Sequence, residues 1–189
     1  MRKRLIFIGG TVGVGKSACA AELKKLLPKC AFLEGDACSE LSRVKKSREL
    51  DRLVLDNIAC LLRNFLSSPE LENVVLVRSL GERDSVRRIL SRIGGGEYDL
   101  YHITLVASPE AVTARLTWDV RRGSRRTSQI AQAIDQMRTY DVSDSITIST
   151  DNLTPREVAA RVFAVISQAR AYGHVYEYLG REEKITSDA

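Results

Sequence analysis

Five short apolar runs punctuate the chain: LIFI at 5–8, AFLE at 31–34, VVLV at 74–77, YHITLVA at 101–107 and SITIS at 145–149. Each is rich in β-favouring residues and too short for a helix, so each predicts a buried strand. Between them, apolar positions recur at helical spacing near 15–27, 47–66, 83–93, 109–121, 127–139 and 155–170. Strands alternating with helices predict an α/β protein with a parallel sheet covered on both faces. Pro109 and Pro155 sit where a first helical turn should begin, with Ser108 and Thr154 as the expected N-caps. RIGGGEYD (92–99) reads as the loop that returns the chain to the fourth strand.

The step from the first strand to the first helix is unusual in composition. FIGGTVGVGKSACAAEL (7–23) places glycines between the apolar run and the helix, and ends them with Lys16 and Ser17. Gly10, Thr11, Val12, Gly13, Val14, Gly15, Lys16 and Ser17 fit G-x-x-x-x-G-K-[ST], with Ala18 continuing the helical turn. Glycines there let the backbone turn tightly and expose successive N–H groups on its concave side. Those donors and the positive end of the following helix converge on one point, which suits the phosphates of ATP. Lys16 can reach the outer phosphates and the Ser17 hydroxyl can ligate Mg²⁺.

Bulk composition narrows the class without changing this reading. The 189 residues are 44% hydrophobic and 28% charged, as expected of one soluble domain. No apolar run approaches a membrane span, and MRKRLIFIGG turns to glycine too soon for a signal peptide. Cys19, Cys30, Cys38 and Cys60 are scattered with no C-x-x-C pair, which argues against zinc and for reduced thiols in a cytoplasmic protein. The net charge of +5 is modest. Much of the excess lies in arginines between 115 and 126, pointing to a local anionic ligand before a nucleic-acid surface. The tail 173–189 is polar at its end and is expected to be partly mobile.

Two further stretches bear chemistry. FLEGD places Glu34 and Asp36 at the carboxyl end of the second strand, the edge where open α/β sheets bind ligands. One carboxylate there can orient or deprotonate an acceptor hydroxyl while the other helps hold hydrated Mg²⁺; the residues alone do not say which does which. VVLVRSL ends the third strand on Arg78 and not on a carboxylate. Arg78 and Arg83 can bind an anionic part of an acceptor, or be paired surface residues. ARLTWDVRRGSRRTSQIAQAIDQMRTYD carries Arg115, Arg121, Arg122, Arg125 and Arg126, with a Gly-Ser break at 123–124. A hinged, arginine-rich helical pair over about 115–140 predicts a lid that closes on the phosphates and excludes water.

These stretches together resemble the P-loop kinases of the nucleoside-monophosphate-kinase-like group, in the branch of gluconate kinase, shikimate kinase and chloramphenicol phosphotransferase. The likeness is carried by GGTVGVGKS, FLEGD, VRSLGERDSVRRIL, ARLTWDVRRGSRR and ISTDNLTPREVAARV, and spans nearly the whole chain. It implies a three-layer P-loop NTPase fold with strand order 2-3-1-4-5 and a small helical lid. It also implies metal and acceptor roles for Glu34 and Asp36, lid roles for Arg115, Arg122 and Arg125 or Arg126, and a segment around Asn152 beside the adenine. No acceptor motif of these families is met: GDACSEL lacks the histidine-proline of gluconate kinases, RSLGE lacks the glycine-rich turn of shikimate kinases, and Asp119 stands where gluconate kinases repeat an arginine.

The expected function is transfer of the γ-phosphoryl group of Mg-ATP to a small hydroxylated metabolite. Lys16, Asp36, Arg115, Arg122 and Arg126 would carry catalysis, with Glu34, Asp36, Arg78 and Arg83 at the acceptor and Ser17, Glu34 and Asp36 at the metal. A nucleoside or nucleotide kinase is one alternative, with Arg43, Arg48 and Arg78 holding a monophosphate. A nucleotide-gated binding module without efficient transfer is another.

Overall fold

The LIFI run forms the middle of the central strand of a five-stranded parallel sheet. In the computed structural model, which describes residues 2–39, 44–45, 47–81 and 84–172, β1 (Lys3–Gly9) lies between β3 (Asn73–Val77) and β4 (Tyr98–Val106). β2 (Cys30–Glu34) flanks β3 and β5 (Ile146–Ser149) flanks β4, giving the order β2-β3-β1-β4-β5. Every pairing is parallel, with Leu5 beside Val74 and Leu100, and Phe7 beside Leu76 and His102.

The side-chain period of a strand splits the apolar residues between two cores. Ile6, Ile8, Val75, Val77, Ile103 and Leu105 face α1 (Lys16–Leu23), α6 (Pro155–Tyr172) and the pair α4 (Pro109–Arg121) and α5 (Ser128–Thr139). Leu5, Phe7, Val74, Leu76 and Leu100 face α2 (Arg48–Ser67) and α3 (Ser85–Ile93). Burying each such side chain contributes on the order of 2 kcal/mol, and this double covering is why the strands read as continuous apolar runs. Among the described residues, no helix is long and apolar enough to cross a membrane.

The expected caps are made. The Ser108 hydroxyl accepts from Ala111 N at 3.2 Å. Thr154 forms a capping box: its hydroxyl accepts from Glu157 N while the Glu157 carboxylate accepts from Thr154 N and Oγ1. Three boundaries differ from the pattern. α1 stops at Leu23, short of the expected 27, because i→i−3 bonds tighten the chain over Lys25 and Leu26 ahead of Pro28. α3 reaches Ile93 and β4 begins at Tyr98, so the expected loop 92–99 shrinks to four residues; pairing of Lys3 with Tyr98 extends the strand. Of the helix expected at 83–93, Ser85–Ile93 is observed, position 83 being outside the described residues, as is the expected mobile tail 173–189.

One buried polar residue in the sheet sets a pH limit. His102 on β4 meets the Asp144 carbonyl through Nδ1 at 2.9 Å, and its Nε2 is buried with no hydrogen-bond partner among the described residues. Nδ1 is therefore the protonated nitrogen, and burial holds the ring below the ordinary histidine pKa despite the Asp144 contacts. A depressed folded pKa means the stability is fully present above about pH 6.5 and is lost as pH falls through the folded pKa. His102→Asn keeps an N–H for Asp144 and does not titrate. Urea unfolding at pH 7 and pH 5 should show wild type losing more stability than this variant over that interval.

Candidate active site

The glycine loop lies at the carboxyl end of β1, where the strand order reverses between β3 and β4. In doubly wound sheets such a switch point opens the crevice that takes ligands. Gly10, Gly13 and Gly15 hold φ values of 136°, 87° and 97°, which admit glycine and strain other residues. α1 then starts at Lys16 with no capping side chain and no acidic residue in its first turn. α2, α4 and α6, by contrast, are closed by Ser47, Ser108 and Thr154. The amide donors and positive end of α1 are thus left for an anion.

The loop is braced from outside through its carbonyls. Lys16 Nζ donates to the Gly10 and Thr11 carbonyls at 2.8 and 2.9 Å. Arg115, from α4, donates to the Gly13 and Val14 carbonyls at 3.4 Å each, and to Thr150 Oγ1 and O at 2.9 and 2.8 Å. Thr150 thereby ties the segment after β5 to the loop. The neighbouring Asp151 carboxylate accepts from Ser108 N at 3.0 Å and from its hydroxyl at 3.3 Å. Asn152 is exposed beside it in a left-handed conformation at φ 57°. Val12 is half-buried, Val14 is packed in the core, and Ser17 and Ala18 are exposed on the first turn of α1.

Across the loop stand the acidic residues of the second strand. Lys16, Glu34 and Asp36 feel one another's charge, and burial of Lys16 still pushes its ammonium down to about 8. The Arg125 charge adds to that depression. The Glu34 carboxyl is raised by partial burial and then by Asp36, against the pull of Lys24 and Lys16. Among the described residues, no three histidine, cysteine or acidic side chains cluster as a protein-only metal site. The hydroxyl of Ser17 and the carboxylates of Glu34 and Asp36 are hard oxygen donors, which suit Mg²⁺ held mainly by phosphates and water.

At the end of β3, Arg78 packs its aliphatic stem over Gly35 and directs Nη1 to the Gly35 carbonyl at 3.5 Å. Arg78 continues into a cavity of about 370 Å³ bounded by α2, the segment after β3, α3 and the end of α5. Arg88, Asp51, Ser79, Ser85 and Gln136 supply its polar lining, and Tyr140 forms a wall. The pattern of the chain did not single out Arg88, Ser79 or Tyr140; only the position of Tyr140 at the end of the lid stretch carried a signal. Arg122 and Arg126 are exposed at the turn between α4 and α5, while Arg125 is half-buried and held by Asp119 at 3.1 Å. Arg48 is exposed at the start of α2, and Arg43 and Arg83 lie outside the described residues.

No protein-family model matches the chain, and no curated relative matches it significantly. Solved structures do. A tunicamycin resistance protein of Deinococcus radiodurans is 21% identical with a TM-score of 0.62, over 87% of this chain and 96% of that one. A gluconokinase of Sinorhizobium meliloti is 20% identical with a TM-score of 0.62, over 92% of this chain and 100% of that one. A shikimate kinase of Acinetobacter baumannii, solved with shikimate, is 17% identical with a TM-score of 0.62, over 89% and 95%. The chain therefore has the fold of P-loop small-molecule kinases, as its sequence resemblance implied.

The lowered Lys16 pKa gives a direct test of the loop. A bound triphosphate restores the protonated form, so Mg-ATP binding at pH 8 should take up about half a proton on Lys16, and none at pH 6.5. Calorimetry in buffers of different ionisation enthalpy measures this uptake, and Lys16→Arg should abolish it.

Proposed function

We propose that the protein is an ATP-dependent phosphotransferase whose acceptor is a small, hydroxylated and anionic metabolite. The observation that carries this reading is the cavity with Arg78 and Arg88 in its wall, at the same sheet edge as the glycine loop and Glu34–Asp36. Its volume falls within the range of small-molecule sites, and two guanidinium groups suit a carboxylate or phosphate on the acceptor. Tyr140 is the one aromatic side chain among its described lining residues. That lining offers no aromatic pair to sandwich a nucleobase, which favours a metabolite over a nucleoside.

In this reading the loop amides and Lys16 hold the β- and γ-phosphates, and Arg115 keeps the loop carbonyls turned outward. Mg²⁺ would neutralise charge on those phosphates, held by the Ser17 hydroxyl and by Glu34, whose charge a cation favours. Asp36, exposed next to Arg78, orients the acceptor hydroxyl and takes its proton. The acceptor oxygen forms its bond to the γ-phosphorus as the bond to the β-phosphate oxygen breaks, releasing ADP. The α4–α5 pair closes as a lid, with Asn152 at the adenine side. Arg125, held by Asp119 and close enough for its charge to act on Lys16, meets the transferring phosphoryl group first, with Arg122 and Arg126 at the rim.

The test is ADP release from Mg-ATP against sugar acids, shikimate, nucleosides, nucleoside monophosphates and antibiotic alcohols, with Lys16→Ala as background. A sugar or ring acid should raise turnover at least a hundredfold, about 2.7 kcal/mol of barrier lowering. No turnover with intact Mg-ATP binding would favour a nucleotide-gated binding module instead. With the acceptor in hand, Arg88→Ala should raise its KM at least about tenfold and leave the KM for ATP within about twofold. Arg125→Ala should lower kcat by about 10²–10³ with little change in the acceptor KM.

A further inference from the structure

Tyr140 directly follows α5 and is drawn inward to the junction of three parts of the site. Its phenol oxygen accepts from Gly10 N at 2.6 Å and from Leu80 N at 2.9 Å. A phenol oxygen has two lone pairs and one proton. The two amides take the lone pairs. Gly10 opens the phosphate loop, whereas Ser79 and Leu80 line the 370 Å³ cavity.

The ring is seated as firmly as the hydroxyl. A Cβ on Gly81 would fall 2.3 Å from the Tyr140 ring, so the ring rests on bare backbone. The Gly81 carbonyl accepts from Asp141 N at 3.2 Å, which fastens the two segments side by side. Burial raises the phenol pKa, against the hydrogen bonds from Leu80 and Gly10, which keeps the proton on the oxygen. The same side chain also separates the large cavity from a smaller one of about 170 Å³ beside Thr11 and Met137.

We propose that Tyr140 is a hydrogen-bonded relay that couples occupancy of the cavity, through Leu80, to the conformation of the phosphate loop, through Gly10. This rests on reading the loop as the nucleotide site and the cavity as the acceptor site. Tyr140 is a positioning residue toward the loop: its hydroxyl acts through Gly10 and Leu80, while its ring walls the cavity. A ligand that orders the cavity segment at Leu80 orders the phenol, and the phenol orders the first amide of the loop. By thermodynamic reciprocity the effect runs equally from the loop to the cavity floor.

That reciprocity allows a test with MgADP as the probe. In ¹⁵N-labelled wild type, MgADP should slow amide exchange at Gly10 and Leu80 by similar factors and shift both resonances. Tyr140→Phe keeps the ring and removes the oxygen. It should raise the Kd for MgADP about three- to tenfold and abolish the Leu80 response, with the exchange of core amides such as those of Ile6 and Ile103 unchanged. The wild-type exchange measurement stands if the variant does not fold: MgADP protecting Gly10 and not Leu80 overturns the relay. A Leu80 response retained in Tyr140→Phe also overturns it and leaves the function in place. Absence of MgADP binding to wild type overturns the nucleotide site and the relay together.

Discussion

A phosphate loop has to keep its amide hydrogens facing a ligand, and that requires its carbonyls and its flanks to be held by something else. In this chain the holding groups are a lysine and an arginine. Lys16 takes the Gly10 and Thr11 carbonyls, and Arg115 takes those of Gly13 and Val14 while locked to Thr150. A buried backbone group without a partner is costly, so these contacts decide which way the peptide units turn. The rest of the site is arranged around that orientation. α4 starts where it does because Ser108 caps it and Asp151 pins it, and its seventh residue onward, Arg115, then reaches the loop.

The charges are balanced in a way that leaves the loop poised for an anion. Burial lowers the Lys16 pKa, and the carboxylates of Asp36 and Glu34 only partly offset it. Arg125 presses further in the same direction. In the proposed function a polyanion would relieve these charges together, pairing with both cations and carrying its metal ion to the carboxylates. The residue that departs from the gluconate kinase pattern, Asp119, serves this balance. It holds Arg125 by its side chain and accepts from Ser124 N and Oγ by its backbone, shaping the turn between α4 and α5.

The two faces of the sheet divide the labour. The face of α1, α4, α5 and α6 supports the loop and its bracing arginine, and α2 and α3 on the other face form one side of the cavity wall. Arg78 and Tyr140 join them. Arg78 lies over Gly35 between the acidic strand end and the cavity, and Tyr140 binds the loop and the cavity floor through one oxygen.

Much of this was legible in the residues themselves. The five strands, the six helices, the caps at Ser108 and Thr154 and the glycine loop follow from periodicity and spacing, which are local properties. The strand order came with the family resemblance and not from periodicity, because pairing of non-consecutive strands leaves no local trace. Asp36, Glu34 and Lys16 were visible because each sits at a fixed offset from a strand or glycine. The partner of Gly10 is 130 residues away, and nothing near Tyr140 in the chain says that it turns inward. Arg125 and Arg126 could not be told apart, since the break at Gly123, with φ 73°, resets the helical phase and only the folded turn decides which guanidinium meets Asp119. Arg88 reads as one charge among several on an amphipathic helix until α3 is laid beside the end of α5 and the two close a cavity. Local chemistry determined the elements and the phosphate loop; long-range packing decided which side chains surround it.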